Sequence, residues 1–170
     1  MADQTKIQWN DDRKSCYAGI LHGTYPGNTG FAASFEHPER FPERMAKASR
    51  LGDLTGLRRS NKPWLDGRPR MIFVSDMGDA LSKSVSFDYL EAEIIDNVIT
   101  QAGRRHRWLW VTKRPKRMAE FSAWLQSLDI AWPENLWVGT TVTTNKTIVR
   151  LDELFDVGDE RTTRFLSLEP

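Results

Sequence analysis

Apolar residues are scattered without a sustained period through residues 1–69 and fall into a regular pattern from residue 70 onward. The first stretch is rich in Gly, Pro, Asn, Arg and Asp. It reads as loops with one or two short helices, one of them around "PERFPERMAKASRL", where Pro42 suits a first helical position. Beyond it, "RMIFVS" (70–75) is a short apolar run bounded by Pro69 and the polar "DMGD", the pattern of a buried parallel strand. Ser86 is placed to cap a helix whose face carries Leu90, Ile94, Ile95, Val98 and Ile99 and which ends near Gly103. "RWLWVT" (107–112) predicts a second strand. Pro115 then opens a helix with Met118, Phe121, Leu125 and Leu128 as its inward stripe. "NLWVGTTV" (135–142) predicts a third strand, and Thr143 or Thr144 a cap for a helix carrying Ile148, Leu151, Leu154 and Phe155. "RTTRFLSLEP" (161–170) supplies a fourth strand. The expectation is a single α/β domain over 1–170: an irregular segment (1–69), then four parallel strands alternating with three helices (70–170), with right-handed crossovers.

In such sheets the working residues gather where strands end in carboxyl-terminal loops. The four exits read Ser75-Asp76-Met77-Gly78-Asp79, Thr112-Lys113-Arg114, Gly139-Thr140-Thr141 and Ser167-Leu168-Glu169. All are polar, and together they offer carboxylates, cations and hydroxyls to one rim. The candidate ligand-binding set is therefore Asp76, Asp79, Lys113, Arg114, Thr140, Thr141 and Glu169. Asp76 with Asp79 suits a divalent ion or a ribose, although two carboxylates before a helix also simply favour its dipole. Lys113 and Arg114 suit phosphates, Lys as a point charge and Arg as a planar fork. The other basic group, "RRHR" (104–107), precedes the second strand and belongs to the opposite end.

Composition narrows this picture. At 170 residues the chain holds a real core but is short for a closed (β/α)₈ barrel of ~250 residues. A net charge of +1 means that any contact with nucleic acid comes from a local patch. There is no long apolar run and no basic-then-apolar leader, so the expected location is the cytoplasm. Tryptophans are concentrated between 108 and 137, as expected of strand faces and core. His22, His37 and His106 lack metal-ligand spacing, and "GTYPGNTG" (23–30) lacks the lysine and the strand-to-helix setting of a phosphate loop. Cys16 is the single cysteine, which rules out an intrachain disulfide and reads as an unreactive thiol.

The segments "TKIQW", "CYA", "RPRMIFVSDMGDAL", "LWVTKRPKRM", "LWVGTTV" and "FLSLEP", in this order, resemble a widespread family of uncharacterised phage and bacterial proteins. That family is distantly related to radical S-adenosylmethionine (SAM) enzymes. The resemblance implies a radical-SAM-like partial (β/α) barrel. It also implies, in typical members, three cysteines closing with C-x-x-C-Y-A that hold a [4Fe–4S] centre. Here "TKIQW" runs through "NDDRK" directly to "SCYA". Cys16 matches the last cysteine of the motif, Ser15 precedes it, and the others are missing. The cluster and SAM thus come by family analogy alone, and no cofactor is expected. Members continue beyond "SLEP", so the resemblance also implies a homo-oligomer or protein partner covering the last strand.

Three readings of function follow. One is an iron–sulfur enzyme of the SAM family acting in nucleic-acid modification or repair, against which the missing cysteines count. A second is a descendant that has lost the cluster and keeps the rim for binding, interaction or regulation, its ligand a nucleic acid or nucleotide. A third is a metal-independent enzyme using Asp76, Lys113 and Glu169 for acid–base chemistry. The second is the expectation carried forward.

Overall fold

The chain alternates short apolar strands with amphipathic helices, and the result is an open parallel sheet with its core on one face. A computed structural model describes residues 17–25, 39–75, 78 and 80–168. The strands are β1 (Met71–Phe73), β2 (Arg107–Thr112), β3 (Leu136–Val142) and β4 (Arg164–Leu168), hydrogen-bonded in chain order and all parallel. β1 and β4 are edges, so the sheet is not closed into a barrel. The register sets Ile72 beside Trp108 and Leu136, and Trp110 beside Val138 and Arg164. Met71, Leu109, Trp137 and Phe165 alternate onto the opposite face.

Before the sheet lie α1 (Tyr17–Thr24) and α2 (Arg44–Ser49). α2 starts later than the sequence suggests. Glu43 has φ 67°, and the carboxylate of Glu93, far along the chain, accepts the Glu43 and Met45 N–H groups at 3.2 Å. This long-range cap, rather than Pro42, fixes the helix start.

The first crossover begins where Ser86 predicts, its hydroxyl accepting the Tyr89 N–H. It runs through α3 (Phe87–Leu90), a π-type stretch Glu91–Ile95 and α4 (Asp96–Val98). Leu90, Ile94, Ile95 and Val98 are buried, but Ile99 lies outside because the helix has ended. The second crossover is α5 (Pro115–Ser127), with Pro115 in its first turn. Its Met118, Phe121 and Leu125 enter the core. Leu128 stays exposed, since it caps the helix C-terminus and the chain turns away at Asp129, φ 58°. The third crossover has a capping box at Thr144, a 3₁₀ turn Asn145–Thr147 and α6 (Arg150–Phe155). Only Leu154 of its expected apolar set is buried; Ile148 and Phe155 face outward, Phe155 at 71% exposure.

One core joins these parts. Trp108, Trp110, Leu136 and Val138 on one sheet face meet Leu90, Ile95, Val98, Met118, Phe121 and Leu125. Trp110 packs edge-on to Phe121 and stacks near Trp132. In a sequential parallel sheet, right-handed crossovers place every helix on the same side, which is why the core is one-sided. The strand "RMIFVS" is accordingly not buried throughout. Ile72 and Val74 face the core, whereas Met71 and Phe73 are more than half exposed. Leu166 and Leu168 on edge β4 are exposed as well. No helix among the described residues is long and apolar enough to cross a membrane.

Candidate ligand-binding rim

Parallel pairing in chain order sets the carboxyl ends of β1 to β4 side by side, so local turn chemistry decides what each exit presents. At the first, Ser75 adopts φ 62°. That conformation costs a non-glycine residue about 1 kcal/mol. Here the serine side chain holds it, donating to Gly78 O at 2.8 Å and accepting Ala80 N–H at 3.1 Å. Asp76 and Asp79, the carboxylates expected in this turn, lie outside the described residues.

The second and third exits are tied together. Buried Thr140 donates its hydroxyl to the Thr112 carbonyl at 2.8 Å, and Thr112 Oγ1 accepts the Arg114 N–H at 2.9 Å. Lys113 and Arg114, both half-buried, are thereby fixed in the short turn between β2 and Pro115. Thr140 serves this rim through its bond to Thr112, which sequence reasoning did not single out. A threonine ending a strand just before Lys-Arg-Pro was the available signal.

The first turn of α5 contains no acidic residue, while Lys116 and Arg117 follow Lys113 and Arg114 across Pro115. Four cations at a positive helix end oppose the dipole. Arg117 has a packing role: it donates to Val85 O at 2.9 Å and lies 4.6 Å over the Phe87 ring. Lys116 is exposed. Thr141 is buried beside Thr140, and its carbonyl accepts Arg150 Nη1 at 2.8 Å, fastening α6 to the rim. At the fourth exit Ser167 and Leu168 are described, and Glu169 is not.

The structure thus brings Lys113, Arg114, Thr140 and Thr141 to one edge. Cys16, His37 and the side chain of His22 fall outside the described residues. His106 is buried at the other end of β2, its Nε2 3.1 Å from Ser49 O. Among the described residues no group of three or more His, Cys, Asp or Glu side chains is arranged to hold a metal ion. Chemically, the described part of the rim offers the Lys113 and Arg114 cations, donors suited to anionic oxygens.

A family model described as a protein of unknown function (DUF5131) matches residues 4–170. No curated protein and no solved structure matches the chain.

Proposed function

This chain belongs to the DUF5131 family, and from that premise we propose that it is a phage-type, radical-SAM-like protein without an iron–sulfur site. In this reading it acts by binding, as an interaction or regulatory protein, and its carboxyl-end rim takes a phosphate-bearing ligand, a nucleotide or nucleic acid. The radical-SAM-like reading is supported by the sequential parallel sheet with its core on one side, the arrangement of consecutive βα units of a barrel. The cluster itself does not fit the residues present. A [4Fe–4S] centre needs several thiolates, and the chain has one cysteine, Cys16.

The observation that carries the ligand class is the pinned turn Thr112–Lys113–Arg114 at the N-terminus of α5, locked to the neighbouring exit by Thr140. Two cations held in one fixed turn form an anion-binding arrangement. Titration with a fluorescent nucleoside triphosphate tests this reading. The double variant Lys113→Ala/Arg114→Ala is expected to weaken binding by about tenfold or more with the fold intact by circular dichroism. Unchanged affinity removes the rim from the reading. A brown chromophore after anaerobic reconstitution with iron and sulfide would instead favour an iron–sulfur protein.

A further inference from the structure

Among the described tryptophans, Trp108, Trp110 and Trp132 are buried and Trp124 and Trp137 partly so, whereas Trp64 is 68% exposed. A large ring left in water gives up the burial that places most tryptophans in cores. Trp64 sits on a loop that closes on itself. Gly56 N–H donates to Gly67 O at 2.9 Å, Arg59 N–H to Leu65 O at 3.3 Å, and Arg58 bridges Asp66 in antiparallel fashion. Inside it, Lys62 N–H reaches Arg59 O and Leu65 N–H reaches Lys62 O. Gly56 (φ 77°) and Gly67 (φ 86°) supply the left-handed backbone at its two ends, and a Cβ on Gly67 would meet Arg58 Nε at 2.8 Å. The loop therefore displays its ring from a hydrogen-bonded platform.

Charge concentrates at the same place. Residues 50–70 hold six Arg or Lys and two Asp on a chain of net charge +1, so the rest of the chain is net negative. Arg58, Arg59 and Arg68 are exposed on the same loop as Trp64. Of these three, among the described residues, only Arg68 is ion-paired, through Nε to Asp66 at 3.3 Å. The base of the loop is anchored at the amino end of the sheet. Arg70 donates to Gly52 O at 3.2 Å, and its carbonyl accepts the first N–H of β2, from Arg107. This is the opposite end of the strands from the rim, and exposed Arg104 and Arg105 extend the basic surface there.

We propose that the 56–68 loop is a binding surface for single-stranded nucleic acid, with Trp64 stacking on an unpaired base and Arg58, Arg59 and Arg68 meeting the flanking phosphates. Stacking requires a base released from pairing, which separates this surface from one that tracks a duplex backbone. A bilayer anchor would need an apolar tip, but Ser60, Asn61 and Lys62 make the turn beside the ring polar. The surface is independent of the rim and of the ligand assigned there.

The test is fluorescence anisotropy with labelled oligothymidylate and oligouridylate of roughly twelve nucleotides, within the span of known stacking surfaces. Both are expected to bind at low salt. Trp64→Ala should weaken binding by about five- to hundredfold, and Trp64→Phe should keep most of it. Arg58→Gln and Arg59→Gln should each lower the slope of log affinity against log salt by about 0.7 if the residue meets one phosphate. Because Trp64 is exposed, the thermal midpoint of its variants should match that of the parent, so lost binding is not unfolding. Absence of binding at low salt overturns the proposal. So does equal affinity of Trp64→Ala and parent, duplex binding as tight as single-strand binding, or Trp64-dependent binding to phosphatidylserine vesicles without binding to either oligonucleotide.

Discussion

Asn135 illustrates what a single buried side chain does here. It sits just before β3, and its amide donates toward the carbonyls of Val98, Gly103 and His106 at 3.2 to 3.4 Å. Its main-chain carbonyl accepts the Trp108 N–H at 2.8 Å. The side chain ties the end of the first crossover and the turn before β2 to the start of β3. Gly103 O keeps the Trp108 Nε1–H and the His106 N–H, but Asn135→Ala takes this donor from the Val98 and His106 carbonyls in a buried place and should cost roughly 2 kcal/mol, seen as a fall in Tm of about 4–8 °C. An unchanged melting curve would mean that water replaces the amide. None of this is legible in the sequence, because the partners lie 29 to 37 residues away. The Ser86 cap is legible, because it accepts from an N–H three residues on.

Periodicity locates the helices well and their ends less well. Met118, Phe121 and Leu125 of α5 face the core as the pattern predicts, and Leu128 does not, because one further turn of helix was assumed. In the third crossover the pattern overreached: Ile148, which precedes α6, and Phe155, at its end, satisfy helical spacing but stay exposed. The cations at the start of α5 carry an element-scale prediction. Replacing exposed Lys116 with Glu puts a favourable charge at the helix N-terminus and should stabilise the fold by about 0.3–1 kcal/mol. The same change should weaken nucleoside triphosphate binding at the rim. A variant that gains stability and keeps full affinity would show that Lys116 stands apart from the ligand; one that loses stability would contradict the dipole argument.

For the whole molecule, polar links decide how the last strand is held and how stability responds to pH. The Arg164 guanidinium donates to the carbonyls of Leu154, Phe155, Val157, Asp159 and Thr162, clasping β4 to the end of α6. Beside it, the Arg161 side chain and N–H hold the Asp159 carboxyl below the ordinary carboxylate range. The Thr55 N–H does the same for Asp53. Both groups are depressed on folding, so their contribution is full above about pH 5 and lost as pH falls through the usual Asp value of ~3.9 toward the folded ones. Tyr89 shifts the other way, raised by burial and then by Glu93, so its contribution holds below about pH 10 and is lost above. Thermal melts should therefore show a plateau across neutral pH with a decline at each end, the acid decline shallower in Asp159→Asn. A Tm that rises between pH 7 and pH 4 would contradict this assignment. Spacing and turn chemistry act over a few residues, so the alternation of four strands and three helical crossovers and the polar character of the strand exits are legible along the chain. Long-range packing left the sheet open, with Met71, Phe73, Leu166 and Leu168 in contact with solvent. It also decided that Thr140 pins the Lys113–Arg114 turn, and that a basic loop displays Trp64 at the opposite end. Those outcomes depend on which distant segments meet, and a local pattern of apolar and polar residues does not encode that.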